Sequence, residues 1–434
     1  MNNQRLELVA DFYEYTMSNG YLNKNMENQI AYFDVFFRKV PDEGGYAIVA
    51  GLEQIINYIK NLSFDEEDIN YLRKQNKFSE DFLNYLENFR FTGDVWAIPE
   101  GTVVFPNEPL ITVRAPIIQA QLLETMLLLT TNHQSLIATK TSRIVKEAQG
   151  KPVMEFGARR AHGINAAVEG ARAAIIGGAI GTSCTLSAKE FNVPASGTMA
   201  HSWIQSFDSE YEAFKSYAEI YPDDCTLLID TYNTIESGLP NAIKVFNEVL
   251  KPKGYKPKAV RLDSGDLAYL SKKVRKILDE AGYADCKICA TNSLDEYLIK
   301  SLIEQDAKID SFGVGENLIT AKSEPVFGGV YKLVGIEKEN KIIPKIKVSE
   351  NVAKVTNPGF KKVYRFYDNE TQKAIADVIA LSDEIIDERE YMIFDPQNPW
   401  KKKLIKDYTI RELQEKIFEN GKLIYETDLN RRWC

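Results

Sequence analysis

From residue 150 to about 320 the chain repeats one rhythm, a short apolar run followed by a helical stretch. The runs fall at 153–156, 180–184, 197–200, 226–230, 259–263, 287–291 and 311–314. Short, continuously apolar runs are typical of strands covered on both faces. Their alternation with helices points to a parallel sheet, here an irregular α/β barrel. This rhythm constrains the rest of the reading, because such folds keep their chemistry where strands end and loops begin. Arg159, Ser183, His201, Asp230, Asp263, Asn292 and Gly315 all stand at or just past the ends of runs.

The flanks read differently. Ala31-Tyr32-Phe33-Asp34-Val35-Phe36-Phe37 alternates as a strand, with helical patterns at 49–61 and 79–90. Residues 91–116 hold short β-branched runs cut by Pro and Gly turns, and 117–148 form a long apolar helical pattern. After 325 the chain becomes β-rich and basic and then ends in a polar helical tail. The expected domains are an N-terminal α+β domain over 1–120, the barrel with the active site over 121–325, and a segment over 326–434 that packs with the N-terminal domain.

Composition narrows the function. The net charge of −9 argues against a nucleic-acid partner, since phosphate neutralisation needs a basic face. Five cysteines are few and odd in number, which suits a reducing cytoplasm, and Cys286-x-x-Cys289 flanks a strand-like run and reads as buried thiols. The opening residues lack a signal-length apolar core, and the longest apolar stretch, 126–129, falls far short of the ~18 residues a membrane span needs. No membrane partner is expected.

Four motifs carry chemistry. Glu155-Phe156-Gly157-Ala158-Arg159-Arg160 ends the first run with two forked cations, suited to a carboxylate or phosphate, or else to a salt-bridged loop. Gly197-Thr198-Met199-Ala200-His201-Ser202 sets a histidine among small residues, accessible as a base or as a nucleophile that accepts a phosphoryl group. Either role calls for a carboxylate on the other ring nitrogen, and Asp230 after the next run is the expected one. Arg261 and Asp263 share a strand face, which suits an anionic substrate that also binds Mg²⁺, or a simple ion pair. Gly313-Val314-Gly315 precedes a short helix and offers backbone N–H groups to a phosphate; no P-loop is present. His133 and His162 read as scaffold.

The blocks ADFYEYTM, FDVFFRKVP, GDVWAIPEGTVVFPNEPL, EFGARRAHG, GTSCT, GTMAHS, LIDTYNT, VRLDSGDL, ATNSLDE and FGVGENLITAKSEPVFGGVYKLV follow in order from about residue 5 to 370. Together they resemble the nicotinate phosphoribosyltransferases, type II phosphoribosyltransferases of NAD salvage. The resemblance implies an enzyme that joins nicotinate to 5-phosphoribosyl 1-diphosphate, coupled to ATP hydrolysis through a phosphohistidine and requiring Mg²⁺. It implies His201 as the phosphorylated residue, with Asp230 and Asp263 beside it in catalysis. Phe156 would clamp one face of the pyridine ring, and Tyr13 the other across a homodimer interface. Arg159 and Arg261 would contact substrate. Thr291, Asn292, Gly313 and Gly315 would cradle phosphate, with Arg38, Lys332 and Lys361 around the diphosphate. The Mg²⁺ ligands are left open.

Gly181-Thr182-Ser183 stands where the nicotinamide-using cousin has an aspartate. Ser183, with Ser202 as a second donor, therefore favours nicotinate over nicotinamide. Glu316-Asn317 replaces an expected basic position. The cysteine cluster of some relatives is absent, so no structural zinc is expected. The competing readings are a nicotinamide or quinolinate enzyme, and a catalytically silent NAD-metabolite sensor.

Overall fold

The computed structural model describes residues 6–348, 350, 355–387, 389–396 and 398–426. The chain divides into two compact units, Met1–Ser135 with Val326–Cys434, and Leu136–Pro325. The break thus lies inside the 24-residue helix Glu124–Glu147, not at 120/121. The early part of that helix is tied to the first unit. Ser135 Oγ accepts the Ala50 N–H at 3.0 Å, and Asn132 Oδ1 accepts the Gly329 N–H at 2.8 Å.

The first unit is built on a seven-stranded antiparallel sheet that interleaves both chain ends. Its order is Lys341–Pro344, Val330–Lys338, Ile30–Phe36, Ile111–Pro116, Asp94–Ala97, Glu415–Glu419 and Lys422–Leu423. The strand Ile30–Phe36 is buried along nearly its whole length, which is why aromatic residues occupy both of its faces. Phe33 stacks on Tyr331 with centroids 4.7 Å apart. The helical tail expected at the C-terminus is not formed; among the described residues every element after Ile319 is a strand. The reason is a period of two in Glu390–Asp395. Tyr391 and Ile393 pack inward on Phe366, Ile405 and Tyr408, while Met392 and Phe394 face out.

The second unit holds five parallel strands: β1 Val153–Glu155, β2 Thr226–Leu228, β3 Ala259–Leu262, β4 Lys287–Ala290 and β5 Ser311–Val314, in the order β1-β5-β4-β3-β2. Of the seven expected runs, 180–184 forms only single bridges, Glu155 to Thr182 and Thr182 to Ala195, the run 197–200 forms no strand or bridge, and no closed barrel of hydrogen-bonded strands is present among the described residues. Pro194 has no N–H to give to the ladder, and Gly181 lets the backbones approach, a side chain there meeting the Pro194 carbonyl at 2.9 Å. The helix Leu267–Glu280 covers the sheet with Leu267, Ala268, Ser271, Val274 and Leu278, a 3–4 spacing, and starts on the Asp266 side chain, which accepts the Tyr269 N–H at 2.9 Å. Cys286 and Cys289 are free and buried, and burial pushes the Cys286 thiol up to about 12, so it is inert.

One acid in the first unit is held against its solvation preference. Glu14, on the helix Phe12–Asn23, is fully buried. Its Oε1 accepts the Asp11 N–H at 3.1 Å and the Thr125 hydroxyl, while Oε2 has no hydrogen-bond partner among the described residues. Burial raises its pKa from 4.5 to about 7, outweighing those two hydrogen bonds. The folded chain therefore keeps a proton that the unfolded chain has released between these values, and stability falls as pH rises from about 4.5 to about 7. The loss should reach about 3 kcal/mol. Urea unfolding at pH 5 and pH 7.5 should show this decline in the native chain and a much smaller one in Glu14→Gln. Equal declines in both would contradict the assignment.

Candidate active site

The chemistry-bearing residues of the second unit gather past the C-terminal ends of its strands. Asp230 stands two residues beyond β2 and is buried. Its Oδ2 accepts the Asp263 N–H at 3.0 Å and the Ser264 hydroxyl at 2.5 Å. Its Oδ1 is buried with no hydrogen-bond partner. The carboxylate is therefore turned toward the loop after β3 and is not the group that orients His201, as the sequence had suggested. Backbone N–H groups that leave the sheet need acceptors, and Asp230 supplies one.

His201 opens the short helix His201–Gln205. Its Nδ1 lies 3.0 Å from Thr231 Oγ1, and its Nε2 lies 3.6 Å from Asp263 Oδ2. Asp263 Oδ1 accepts the Thr291 hydroxyl. A continuous chain of polar contacts, Thr291 to Asp263 to His201 to Thr231, thus crosses the loops after β4, β3 and β2. Asp263 is the carboxylate beside the imidazole. Arg261, on β3, donates from a terminal nitrogen to Thr198 Oγ1 at 2.5 Å, and its Nε is buried without a partner. A buried polar atom left unpaired costs ~1–3 kcal/mol, a cost that a bound ligand can remove.

At the other edge, Glu155 ends β1 fully buried. Its carboxylate accepts the Gly157 N–H and, at 2.6 Å, the Thr182 hydroxyl. Burial raises its pKa while these two hydrogen bonds oppose the shift. The Glu155 carbonyl accepts the Ser183 N–H at 2.9 Å, so one residue fixes both turns. Ser183 is exposed, as is Ser202 beside His201. Phe156 lies over β5; a side chain at Gly313 would meet its ring at 2.5 Å and Thr291 Cγ2 at 2.8 Å. Gly313 is therefore glycine for close packing under the ring, and Gly315 lies next to the Phe156 carbonyl. Asn292 is left-handed, φ 86°, and exposed. Asn317 donates to the Ser293 carbonyl at 2.8 Å and pins that turn, while Glu316 pairs with Lys322 at 2.8 Å. The pair thus braces the loop. Arg159 is exposed with no hydrogen bond or ion pair among the described residues.

In the first unit, Tyr13 lies on the helix Phe12–Asn23 and is half exposed. Arg38 sits 5.5 Å from the Phe36 ring with its Nε buried and unpartnered. Burial lowers the Lys332 pKa, Glu124 opposes this, and the neighbouring cations Arg38 and Lys347 lower it further. Arg38 and Lys347 are thus cations close to Lys332, with the carboxylate of Glu124 also near. Lys361 does not belong with them. Its Nζ is 2.8 Å from Asp34 Oδ2, with both side chains shut off from water, and it donates to the Gly359 carbonyl at 2.7 Å. The role around a diphosphate suggested by the sequence is corrected to a buried ion pair.

Comparison with known proteins fits this geometry. A family model described as the nicotinate phosphoribosyltransferase (NAPRTase) family matches residues 152–380, more than half of the chain. The chain belongs to the nicotinate phosphoribosyltransferase family. The models of the family's N-terminal and C-terminal domains match residues 8–132 and 360–430. A nicotinate phosphoribosyltransferase of Bacillus subtilis (strain 168) is 46% identical, covering 97% of this chain and 86% of the relative. One from Caenorhabditis elegans is 34% identical over 96% of this chain and 84% of its own. Among solved structures, the human nicotinic acid phosphoribosyltransferase matches with a TM-score of 0.84 at 25% identity, covering 96% of this chain and 91% of its own.

Residues that the sequence did not single out hold this phosphoribosyltransferase site in place. Glu155 sits within the EFG block, Thr182 within GTS, and Thr198 and Thr231 beside His201 and Asp230. Glu155 and Thr231 stand at or just past the end of an apolar run and Thr182 and Thr198 are polar residues inside one, the one signal that could have found them. Lys347 belongs to the basic run after residue 340. Replacing Lys361 with Met would leave Asp34 charged and buried, and should cost about 3–5 kcal/mol in urea unfolding. The folded fraction should keep its KM for the phosphoribosyl donor. A raised KM with unchanged stability would instead return Lys361 to the diphosphate site.

Proposed function

We infer that this chain is an ATP-coupled nicotinate phosphoribosyltransferase. It would convert nicotinate, 5-phosphoribosyl 1-diphosphate, ATP and water into nicotinate mononucleotide, diphosphate, ADP and phosphate. The observation that carries the reading is the contact chain Thr291–Asp263–His201–Thr231 at the strand ends of a chain from this family. With Asp263 holding the Nε2 side, the Nδ1 lone pair is the proposed phosphoryl acceptor, and Thr231 stands where the incoming group would be received. Bond formation at Nδ1 breaks the terminal phosphoanhydride of ATP and releases ADP; the proton stays on Nε2 beside Asp263, and attack by water later breaks the Nδ1–P bond and releases phosphate.

Displacing diphosphate from ribose C1 builds positive charge on the sugar and negative charge on the leaving group. Arg38 and Lys332, with Lys347 near them, are proposed for the diphosphate. Mg²⁺ takes few protein carboxylates and keeps substrate phosphates as ligands. The orphaned Asp230 Oδ1 and the carboxylate of Asp263 fit that demand and would hold it. When bound, the ion neutralises the departing diphosphate. Thr291, Asn292, Gly313 and Gly315 are proposed for the nucleotide phosphate, and Arg159 and Arg261 for the anionic substrate. Ser183, with its hydroxyl exposed and its backbone fixed, and Ser202 would donate to the nicotinate carboxylate.

The irregular barrel is also proposed. The two bridges extend the sheet beyond β1, and the Thr198–Arg261 and Thr231–His201 contacts link that extension to the β2–β3 edge. Among the described residues no helix is long and apolar enough to cross a membrane, and a cytoplasmic setting is proposed from the free, buried thiols.

Diphosphate release should be measured with nicotinate, nicotinamide and quinolinate, each with and without ATP. Nicotinate should exceed the others at least tenfold and be stimulated by ATP. His201→Ala should lose both the stimulation and any labelled phosphate from γ-labelled ATP. Full ATP-stimulated turnover in His201→Ala would refute the coupling. A homodimer with shared sites, Tyr13 from one copy and Phe156 from the other, would clamp both faces of the pyridine. Mixing inactive Tyr13→Ala and His201→Ala chains should restore up to about a quarter of native activity, the statistical limit when each site draws on two chains. Proven mixed dimers without any recovery would exclude sharing.

A further inference from the structure

A cavity of about 550 Å³ opens in the second unit, walled by the segment that leads into His201 and by the helix Glu210–Ile220. Asp224, in its wall, precedes the first residue of β2, whereas Asp230 and Thr231 follow its last. The segment 197–200 also lines it. Its volume is within the range of small-molecule sites, ~300–1,000 Å³.

The lining has a consistent chemistry. Trp203, Tyr217 and Tyr221 form a run of rings, with centroids 6.1 Å apart between Trp203 and Tyr217 and 4.9 Å between Tyr217 and Tyr221. Ile220 and Tyr221 remain more than half exposed at the rim, an apolar display unusual beside an open cavity. The Tyr217 and Tyr221 hydroxyls make no hydrogen bond among the described residues, while the Trp203 Nε1–H is satisfied by the Ala213 carbonyl at 3.1 Å. Among the described residues no Lys, Arg or His lines the cavity, and its one charged lining residue is Asp224, whose carboxylate also pairs with Lys258. Phosphates and carboxylates are thus disfavoured, whereas flat rings with N–H donors find aromatic faces, phenol oxygens and a carboxylate.

We propose that this cavity binds an uncharged planar nitrogen heterocycle and is coupled to the active site through Thr198. Thr198 lines the cavity and also receives the Arg261 hydrogen bond at 2.5 Å, and the same segment runs directly into His201. An occupant that shifts 197–200 therefore shifts a substrate-facing guanidinium and the imidazole together. The coupling rests on the role proposed for Arg261; the binding does not.

Equilibrium dialysis of the full chain with labelled adenosine, a neutral planar probe, tests the binding without any need for turnover. Adenosine should bind one site per chain, at least fivefold more tightly than AMP, and should not be displaced by nicotinate or 5-phosphoribosyl 1-diphosphate. Tyr221→Ala, a change at the exposed rim, should weaken binding at least tenfold, and Tyr217→Ala should agree. Saturating adenosine should change the KM for nicotinate at least threefold, and Thr198→Val should keep the binding but lose that change. Absence of saturable binding, displacement by either substrate, or indifference to Tyr221→Ala would overturn the site. Binding with no kinetic effect would overturn the coupling.

Discussion

Glu155 is shut off from water at the end of β1, and both turns at that edge of the site hang on it. Its carboxylate accepts from Gly157 and Thr182, and its carbonyl from Ser183. A buried carboxylate is costly unless its oxygens are satisfied, and here the partners are the very groups whose positions matter. Gly157 follows the Phe156 ring directly, and Ser183 follows Thr182. The ring and the exposed hydroxyl are therefore held by one acid, before any substrate arrives.

Asp230 performs the same task at the other end of the sheet. By taking the Asp263 N–H and the Ser264 hydroxyl it fixes the loop that presents Asp263 to His201. The two buried acids brace the site from beneath, so that Asp263 and His201 meet each other and, among the described residues, Arg261 keeps a buried Nε without a partner. The contrast with the first unit is instructive. There Asp34 and Lys361 neutralise each other in the core, with no face left for a ligand. The same residue types serve structure or chemistry according to whether a partner has already claimed them.

Much of this was legible in the chain. The rhythm of apolar runs located five parallel strands, and the polar residues in and after the runs marked Arg261, Asp263 and His201. The interleaved sheet of the first unit was foreshadowed by β-rich segments at both ends. What failed did so for identifiable reasons. The tail was read as helical because its charges hide a period of two, which only packing on Phe366 and Tyr408 reveals. Asp230 was assigned to His201 because neighbouring strand ends suggest proximity. Which of two adjacent carboxylates turns toward the ring is decided by competing backbone donors. Lys361 looked like any other cation in a basic run, since burial leaves no local mark on sequence.

The sequence by itself determined the alternation of strand and helix, the family, and the inventory of reactive side chains, because these depend on local pattern and residue identity. Tertiary structure alone decided the partners: Asp263 and Thr231 for His201, Thr198 for Arg261, Asp34 for Lys361. Those contacts join residues far apart in the chain, across loops whose course follows from packing. A hydrogen bond resolves differences of tenths of an ångström that no spacing along the sequence encodes.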